Sequence, residues 1–495
     1  MTEQKELTVR DTFKKMPVLF VLPLIIGVIC YMQAGIRFLD ALYYSVDLYL
    51  FDYYENEAVR LCMQEHLWTA LGLNLMLLMA PLLTATAIIL QFQESCQWLG
   101  AHLVSLLPKS TIIYGDTPKS RALCKNIRRS SLWTNAPLRS ASRHIVMFGE
   151  DLKSLDVCRK YQSLLKKKDV YICVNEAGAT SLKDIYEKDH EAGQMSIRFF
   201  NYNDTVARLF WKERKIWKSG KKVQKIAIVG FGSLGIRMLE TALQLNLFHE
   251  EQCIEYYVFG DNGRYQHSHA NLQLMNRDRV YYFPLDSREQ WECMPQMDMI
   301  ILTEVSGVAM VQAVLGCSAC AEVYVYNPDD LGLKSYFSSG RLQVFGEYRS
   351  VLTEENITSN KLYKNAMELN AEYEKKVAEG NVDAQEAWNR LSGFLKSSNI
   401  SAADFGEVLR SLAENKAGAD LDLFARLEHI RWCRFHFLHY WKYGIPDCGQ
   451  GKDEKKRIHS CLRPFDELDR DNQNKDYSSV KVLLELLETE NEDQS

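Results

Sequence analysis

The sequence predicts a multidomain chain: two transmembrane α-helices, then tandem α/β domains with parallel sheets, then an all-helical C-terminal third. Three observations predict it. Two apolar runs, Pro17 to Ile36 and Leu67 to Phe92, each reach the roughly 20 residues a bilayer span requires. Short apolar strands then alternate with helical stretches from His144 to Tyr326, the pattern of parallel βαβ units. From Glu354 onward helical periodicity dominates. A chain of 495 residues holds about three domains. Its 47% hydrophobic and 25% charged fractions are those of folded globular protein. A formal charge of -5 and a pI near 6.2 argue against a nucleic-acid partner.

Residues 1–16 are read as a cytosolic N-terminus, and 17–92 as a two-helix transmembrane region with an external loop, 37–66. The orientation comes from charge. Lys5, Arg10, Lys14 and Lys15 precede the first span, and a basic stretch from Lys109 to Arg143 follows the second. The loop instead carries Asp40, Asp47, Asp52, Glu55, Glu57 and Glu65 against Arg37 and Arg60. Lysine and arginine stay on the cytoplasmic side, so both termini are expected in the cytosol. A cleaved signal peptide is the rival reading of the first run, but that run exceeds a usual signal core and a second span follows it. The thirteen cysteines show no zinc-ribbon spacing, and Cys317-Ser-Ala-Cys320 sits in a small-residue helical stretch, so no metal site is expected.

Within the loop, Phe38 to Phe51 is aromatic and amphipathic and occupies the slot of a pore helix. The span, helix, span layout resembles the potassium-channel superfamily. No Thr-Val-Gly-Tyr-Gly filter follows, only Asp52-Tyr-Tyr-Glu-Asn-Glu57, so a potassium-selective carbonyl filter is not expected. In a dimer or tetramer Asp47 and Asp52 would form an acidic vestibule and Asn74 would line the path. Equally, the aromatic helix rests at the membrane interface and Asn74 bonds between helices. Pro81 is expected to kink the second span.

Residues 93–142 read as a basic cytosolic linker near anionic headgroups. The first α/β region, 143–217, has strands at His144 to Glu150, Asp169 to Val174 and Ser196 to Asn201. Its turn offers only Gly149, followed by Glu150 and Asp151, whose charge would repel a pyrophosphate; it reads as a degenerate Rossmann-like half. After the basic Lys218 to Lys222 the series restarts in region 223–350. Here Ile226 to Val229 runs into Gly230-Phe-Gly232-Ser233-Leu-Gly235 and directly into a helix. That is the layout of a Rossmann dinucleotide-binding turn: the glycines give the tight turn, the room for a pyrophosphate and the close helix packing, and the helix N-terminus faces the phosphate. Gly230, Gly232, Ser233 and Gly235 are therefore the candidate cofactor contacts, for NAD(H) or another nucleotide. Asp261 is the nearest candidate for the ribose acid, with Gly260 where the carboxylate was expected. A tight turn with nothing bound is the alternative. The two halves look like the TrkA-N (RCK) regulatory domains of prokaryotic potassium channels and transporters, which implies ligand-controlled gating of a membrane domain. No catalytic acid, base or nucleophile gathers at the turn.

Residues 354–488 carry a second resemblance, ahead of an acidic tail at 489–495. Helices are expected at Ile357 to Glu374, Ala384 to Lys396 and Asp422 to Lys442, with Thr353 and Ser401 as N-caps. Leu427-Glu-His-Ile-Arg-Trp432, Trp441-Lys-Tyr-Gly444, Lys452 to His459 and Pro464-Phe-Asp-Glu-Leu468 resemble the ryanodine-receptor repeat (RyR domain). The resemblance implies a small helical ligand sensor, often found beside nucleotide-signalling or phage-defence genes. A phosphorylated nucleotide would need a base platform, for which Trp432 and Tyr443 are candidates, and cations, for which Arg431, Lys455, Lys456, His459 and Arg463 are candidates; the alternatives are an Arg431 paired with Glu428, three residues before it, and a lysine run that is a solvated loop.

The order of parts predicts a homo-oligomeric effector in a bacterial inner membrane, its cytosolic domains sensing a nucleotide-type ligand and controlling the two-span region, with ion conduction as one outcome. Two other readings stand beside it. One is a membrane-tethered NAD(P)-dependent enzyme; the other is a non-conducting anchored sensor that acts through a partner protein.

Overall fold

The computed structural model describes residues 9–50, 52–134, 137–165, 168–175, 196–214, 216, 223–304, 307–317, 321–329, 332, 340–358, 363–378, 383–415, 420–447 and 451–492. Lys218 to Lys222 and Cys320 lie outside them. The chain divides into two compact units, Met1–Gly100 and Ala101–Ser495.

In the first unit, α1 (Val9–Gln33), α2 (Phe38–Asp47) and α3 (Glu57–Glu65) precede the long α4 (Leu67–Ser105). Among the described residues one helical stretch, Leu67–Ile88, is long and apolar enough to cross a membrane, while the apolar stretch Val21–Gln33 is shorter. Both present large apolar side chains outward, with Leu22, Ile29, Leu71, Leu75 and Leu78 half or more exposed. Such rows suit a hydrocarbon solvent better than water. α2 folds back along α1 to the level of Gly27, where an added Cβ would stand 2.8 Å from Ser45 Oγ. Thr69 Oγ1 donates to Gln33 Oε1 at 2.8 Å and holds the start of α4 to the end of α1. Pro81 lies inside α4.

The second unit holds two wholly parallel sheets. The first comprises β1 (Thr111–Tyr114), β2 (Ser130–Trp133), β3 (Arg143–Val146), β4 (Asp169–Cys173) and β5 (Ser196–Phe200), in spatial order β2-β1-β3-β4-β5. α5 (Pro118–Asn126) and α6 (Asp151–Lys160) serve as crossovers. Residues 93–142 are thus no linker: they contain two strands and a helix. Four-residue strands carry almost no periodicity, and the basic residues around them read as a solvated segment. The order is second, first, third, fourth, fifth, one of the two common doubly wound arrangements.

α7 (Tyr202–Glu213) leads to the second sheet, which comprises β6 (Val223–Val229), β7 (Cys253–Phe259), β8 (Arg279–Phe283), β9 (Met299–Leu302), β10 (Glu322–Tyr326) and β11 (Leu342–Phe345). α8 (Ser233–Leu245) and the short α9 (Arg264–Ser268) follow β6 and β7, and α10 (Val308–Cys317) follows β9. The spatial order β11-β10-β9-β6-β7-β8 is the dinucleotide-binding order third, second, first, fourth, fifth, sixth. β11 lies beyond Tyr326, where the expected series of strands ends.

The C-terminal third has α11 (Lys364–Ala378), α12 (Ala384–Arg390), α13 (Gly393–Asn415), α14 (Leu421–Leu438) and α15 (Arg470–Glu492). It is not all helix. β12 (Lys442–Tyr443), β13 (Lys452–Asp453) and β14 (Ile458–His459) form a small sheet. Thr353 caps a short turn, accepting from Asn356 N at 3.1 Å, and Asp420 caps α14. Ser401 is no cap: it lies inside α13, donating to Gln244 Oε1 at 2.6 Å and accepting from Arg431 Nη1 at 2.8 Å.

One apolar core runs through this unit, from Ile113 and Ile145 of the first sheet through Phe210 and Met238 to Phe405 and Leu427 of the helical third. Two buried ion pairs lock the same parts. Arg208 of α7 donates to Asp404 of α13 at 2.5 and 3.0 Å. Arg434 of α14, fully buried, donates Nη2 to Asp278 Oδ2 at 2.8 Å and Nη1 to the Leu243 carbonyl of α8 at 2.8 Å. Removing one partner of such a pair strands a buried charge at a cost of about 3–5 kcal/mol. Arg434→Met should therefore sharply lower the thermal midpoint of the full chain, and Arg434→Met with Asp278→Leu should regain much of the loss; equal midpoints for wild type and single mutant would contradict this.

Candidate functional site

The glycine turn stands at the topological switch point of the second sheet, between the carboxyl ends of β6 and β9, where open parallel sheets bind ligands. Gly230 has φ +87, a left-handed conformation natural to glycine. A Cβ on Gly235 would stand 2.3 Å from the Gly230 carbonyl, so strand and helix pack at glycine distance. The Thr303 hydroxyl bonds to that same carbonyl and, at 3.2 Å, to that of Val229. α8 starts at Gly232 as N-cap without a side-chain cap bond, so its positive end lies at the carboxyl edge of the sheet with no capping side chain.

Asp261 is committed elsewhere. Its carboxylate accepts from the backbone N–H of Tyr265 and Gln266 at 3.2 and 3.0 Å and so caps α9. The displacement has a steric cause: Gly260 has φ +115, and a Cβ there would lie 2.9 Å from Phe231 N. A carboxylate at position 260 would collide with the turn itself.

The carboxyl edge of the first sheet meets the same turn. Asn203 Nδ2 donates to Ser233 Oγ at 3.0 Å, Ser233 Oγ donates to the Asn175 carbonyl at 3.4 Å, and Lys119 Nζ reaches Asn175 Oδ1 at 3.3 Å. The first sheet's own turn is tied shut, because Asp151 Oδ1 accepts from Asn175 N and Nδ2 at 2.7 and 2.9 Å. The acid expected to repel phosphate serves as a brace between β3 and β4.

In the helical third the predicted contacts are split between buried and exposed settings. Arg431 is buried and its guanidinium is used up by Glu428 (2.7 Å twice) and Ser401, so it offers nothing to a phosphate. Trp432 and His459 come together, with ring centroids 4.9 Å apart, and His436 lies 4.0 Å from Trp432. Arg463 lends its backbone carbonyl to His429 Nε2 at 2.8 Å, and its own Nε is buried without a hydrogen-bond partner. Tyr443 pairs in register with His459 in the small sheet and is 48% exposed. Lys455 is exposed, and Lys456 is held by Asp447 at 2.8 Å.

The histidines there are unlike one another. Burial pushes His436 down to about 3 and His459 down to about 4, so both are neutral. For His429 burial works in the same direction, but the bonds to Asp476 and Cys433 outweigh it and raise it to about 11. His436 Nδ1 faces the Trp432 carbonyl at 2.8 Å, which can only accept, so that nitrogen carries the proton.

In the first unit Asp47 ends α2 and is half-buried, Asp52 is exposed just beyond, and Asn74 is exposed on α4 beside Leu71 and Leu75. Glu304, after the fourth strand of the second region, reads from sequence as a carboxylate close to the turn and as a loop residue rather than a catalyst; nothing in the sequence marks Arg434 or Asp278 for notice. An arginine within the apolar face of α14 is the one signal that could have done so.

No family model and no curated protein matches the chain. Among solved structures, one described as the crystal structure of the GsuK bound to ADP aligns over 68% of this chain and 96% of its own, at 12% identity and a TM-score of 0.32.

The imidazoles predict a pH dependence. His144 and His436 are buried and held neutral at about 4 and about 3, below the usual 6.5 of an unfolded histidine. A depressed pKa contributes stability that is present above 6.5 and lost as pH falls, here between about 6.5 and 3. The raised His429 has the opposite sign, with its contribution full below 6.5 and lost as pH climbs toward about 11. The thermal midpoint should thus fall between pH 6.5 and 4.5, and His436→Gln should flatten that fall by up to about 1.4 kcal/mol per pH unit; an unchanged acid slope in the variant would count against a neutral His436.

Proposed function

We propose that the chain is a membrane-anchored sensor in which a nucleotide-type ligand at the Gly230–Gly235 turn sets the state of the apolar helical region. The observation that carries this reading is the position of α8. Its N-terminus, without a side-chain cap bond, stands at the switch point of a sheet in dinucleotide-binding order, and its last turn is held by Arg434 of the helical third. A ligand at one end of α8 therefore acts on a helix already welded to the second module. The resemblance to TrkA-N (RCK) domains fits this arrangement, and so does the resemblance of residues 354–488 to the RyR domain, where Trp432, Tyr443 and His459 would offer a second, aromatic contact surface. Arg431 is left out of that surface because its charge is spent internally.

On this reading residues 17–92 form two spans with both termini in the cytosol, and α2 packed back along α1 is the counterpart of a pore helix. Two helices cannot enclose a path alone, so a homo-oligomer is required. Asp47, Asp52 and Asn74 are the polar groups that would face its axis.

Two measurements test the reading. Gly232→Asp places a fixed carboxylate in the phosphate approach and should abolish nucleotide binding to the full chain in calorimetric titration. Binding that survives the substitution would refute the site. In proteoliposomes, ligand-dependent ion flux should change with Asp47→Asn and Asp52→Asn; flux that is absent with every nucleotide that binds would leave the anchored sensor acting through a partner.

A further inference from the structure

We infer that Glu304 is an internal anion that fills the phosphate place of the glycine turn, so that a nucleoside diphosphate binds there only by displacing it. The inference rests on the glycine-turn reading and names the residue that sets the turn's affinity. In such turns the second glycine is bare so that a pyrophosphate can approach the backbone. Here a Cβ on Gly232 would meet Glu304 Oε1 at 3.3 Å. A Cβ on Gly230 would meet the same side chain at 2.8 Å (Cγ) and 3.0 Å (Cδ). The Glu304 carboxylate thus lies across the face of the turn that the two glycines keep open.

Its backbone has little freedom to place it elsewhere. β9 ends at Leu302, and Thr303 N donates to the Val229 carbonyl at 2.9 Å while its hydroxyl bonds the Gly230 carbonyl. Residue 304 is thereby fixed directly over the turn. The N-terminus of α8 lacks a side-chain cap, and its positive end favours a nearby negative charge. A side-chain carboxylate and a ligand phosphate compete for that end, since like charges a few ångströms apart repel strongly in a partly desolvated site. Glu304 is exposed, so its displacement by a ligand does not open the core. The chain therefore carries its own competitor for diphosphate ligands, and binding is coupled to a rotation of Glu304.

The test is calorimetric titration of the full-length protein in nanodiscs with ADP, and with adenosine as the phosphate-free control. Glu304→Gln keeps the shape and removes the charge. It should bind ADP about tenfold or more tightly than wild type and bind adenosine unchanged. Equal or weaker ADP binding by Glu304→Gln overturns the inference. A loss confined to magnesium-containing buffer also overturns it, and would make Glu304 part of a metal bridge. An equal gain for adenosine overturns it as well, because the effect would then not lie at the phosphates. Gly232→Asp separates the two levels. If it abolishes ADP binding while Glu304→Gln changes nothing, only the role of Glu304 fails. If ADP still binds to Gly232→Asp, or binds to no form of the protein, the glycine-turn reading fails together with it.

Discussion

The buried guanidinium of Arg434 is the constraint on which the second unit depends. It enters from α14 and finds acceptors on three other segments: the Leu243 carbonyl of α8, the Leu274 carbonyl with the Asn276 side chain, and the Asp278 carboxylate ahead of β8. Asp278 in turn accepts from Ile254 N of β7 at 2.7 Å and from Gln252 Nε2 at 2.9 Å. Desolvating both charges is costly, and the cost is offset only because nearly every donor and lone pair finds a partner. The network fixes where α14 sits on the sheet and specifies one arrangement among many that apolar packing alone would allow. It makes the helical third an integral part of the second α/β layer rather than an appended domain.

That placement gives α8 two distinct ends. Its N-terminus is a glycine turn without a side-chain cap bond, faced by the Glu304 carboxylate, while its last turn is held by Arg434 and flanked by Gln244, which accepts from Ser401 of α13. On the far side of the turn, Ser233 touches Asn175 and Asn203 from the first sheet. A shift of α8 along its axis would strain both sets of contacts at once. Chains of packed side chains and rigid helices of this kind are the physical means by which distant sites influence each other. The Arg208–Asp404 pair adds a second tie, linking α7, at the end of the first sheet, to α13. The first sheet, the glycine turn and the helical third are thus braced against one another around one helix.

Much of this architecture was legible in the sequence for identifiable reasons. β6, with the glycines after it, and the strands β7 to β10 announced themselves by largely apolar runs bounded by turn residues. β1 and β2 did not, since four-residue strands set among basic residues look like a solvated segment. At the site, the glycines could be read because their spacing is local. Arg434 and Asp278 could not, because they stand 156 positions apart and only the fold brings them together; Glu304 could be placed near the turn, but not over its two glycines. Arg431 carries two readings in the sequence, a phosphate ligand beside an indole or the ion-pair partner of Glu428 three residues before it, and the structure forms the ion pair. Asp261 fails for a steric reason that no spacing rule contains, the collision of a Cβ at position 260 with Phe231 N.

The glycine turn and the helical third are joined through α8 and Arg434 into one mechanical body. Hydrogen–deuterium exchange of the full-length protein with and without ADP tests it most directly. Ligand should change protection at residues 230–236 and, in parallel, at residues 272–278 and 430–438. A change confined to the turn, with the Arg434 segment and its acceptors unaffected, would contradict the account.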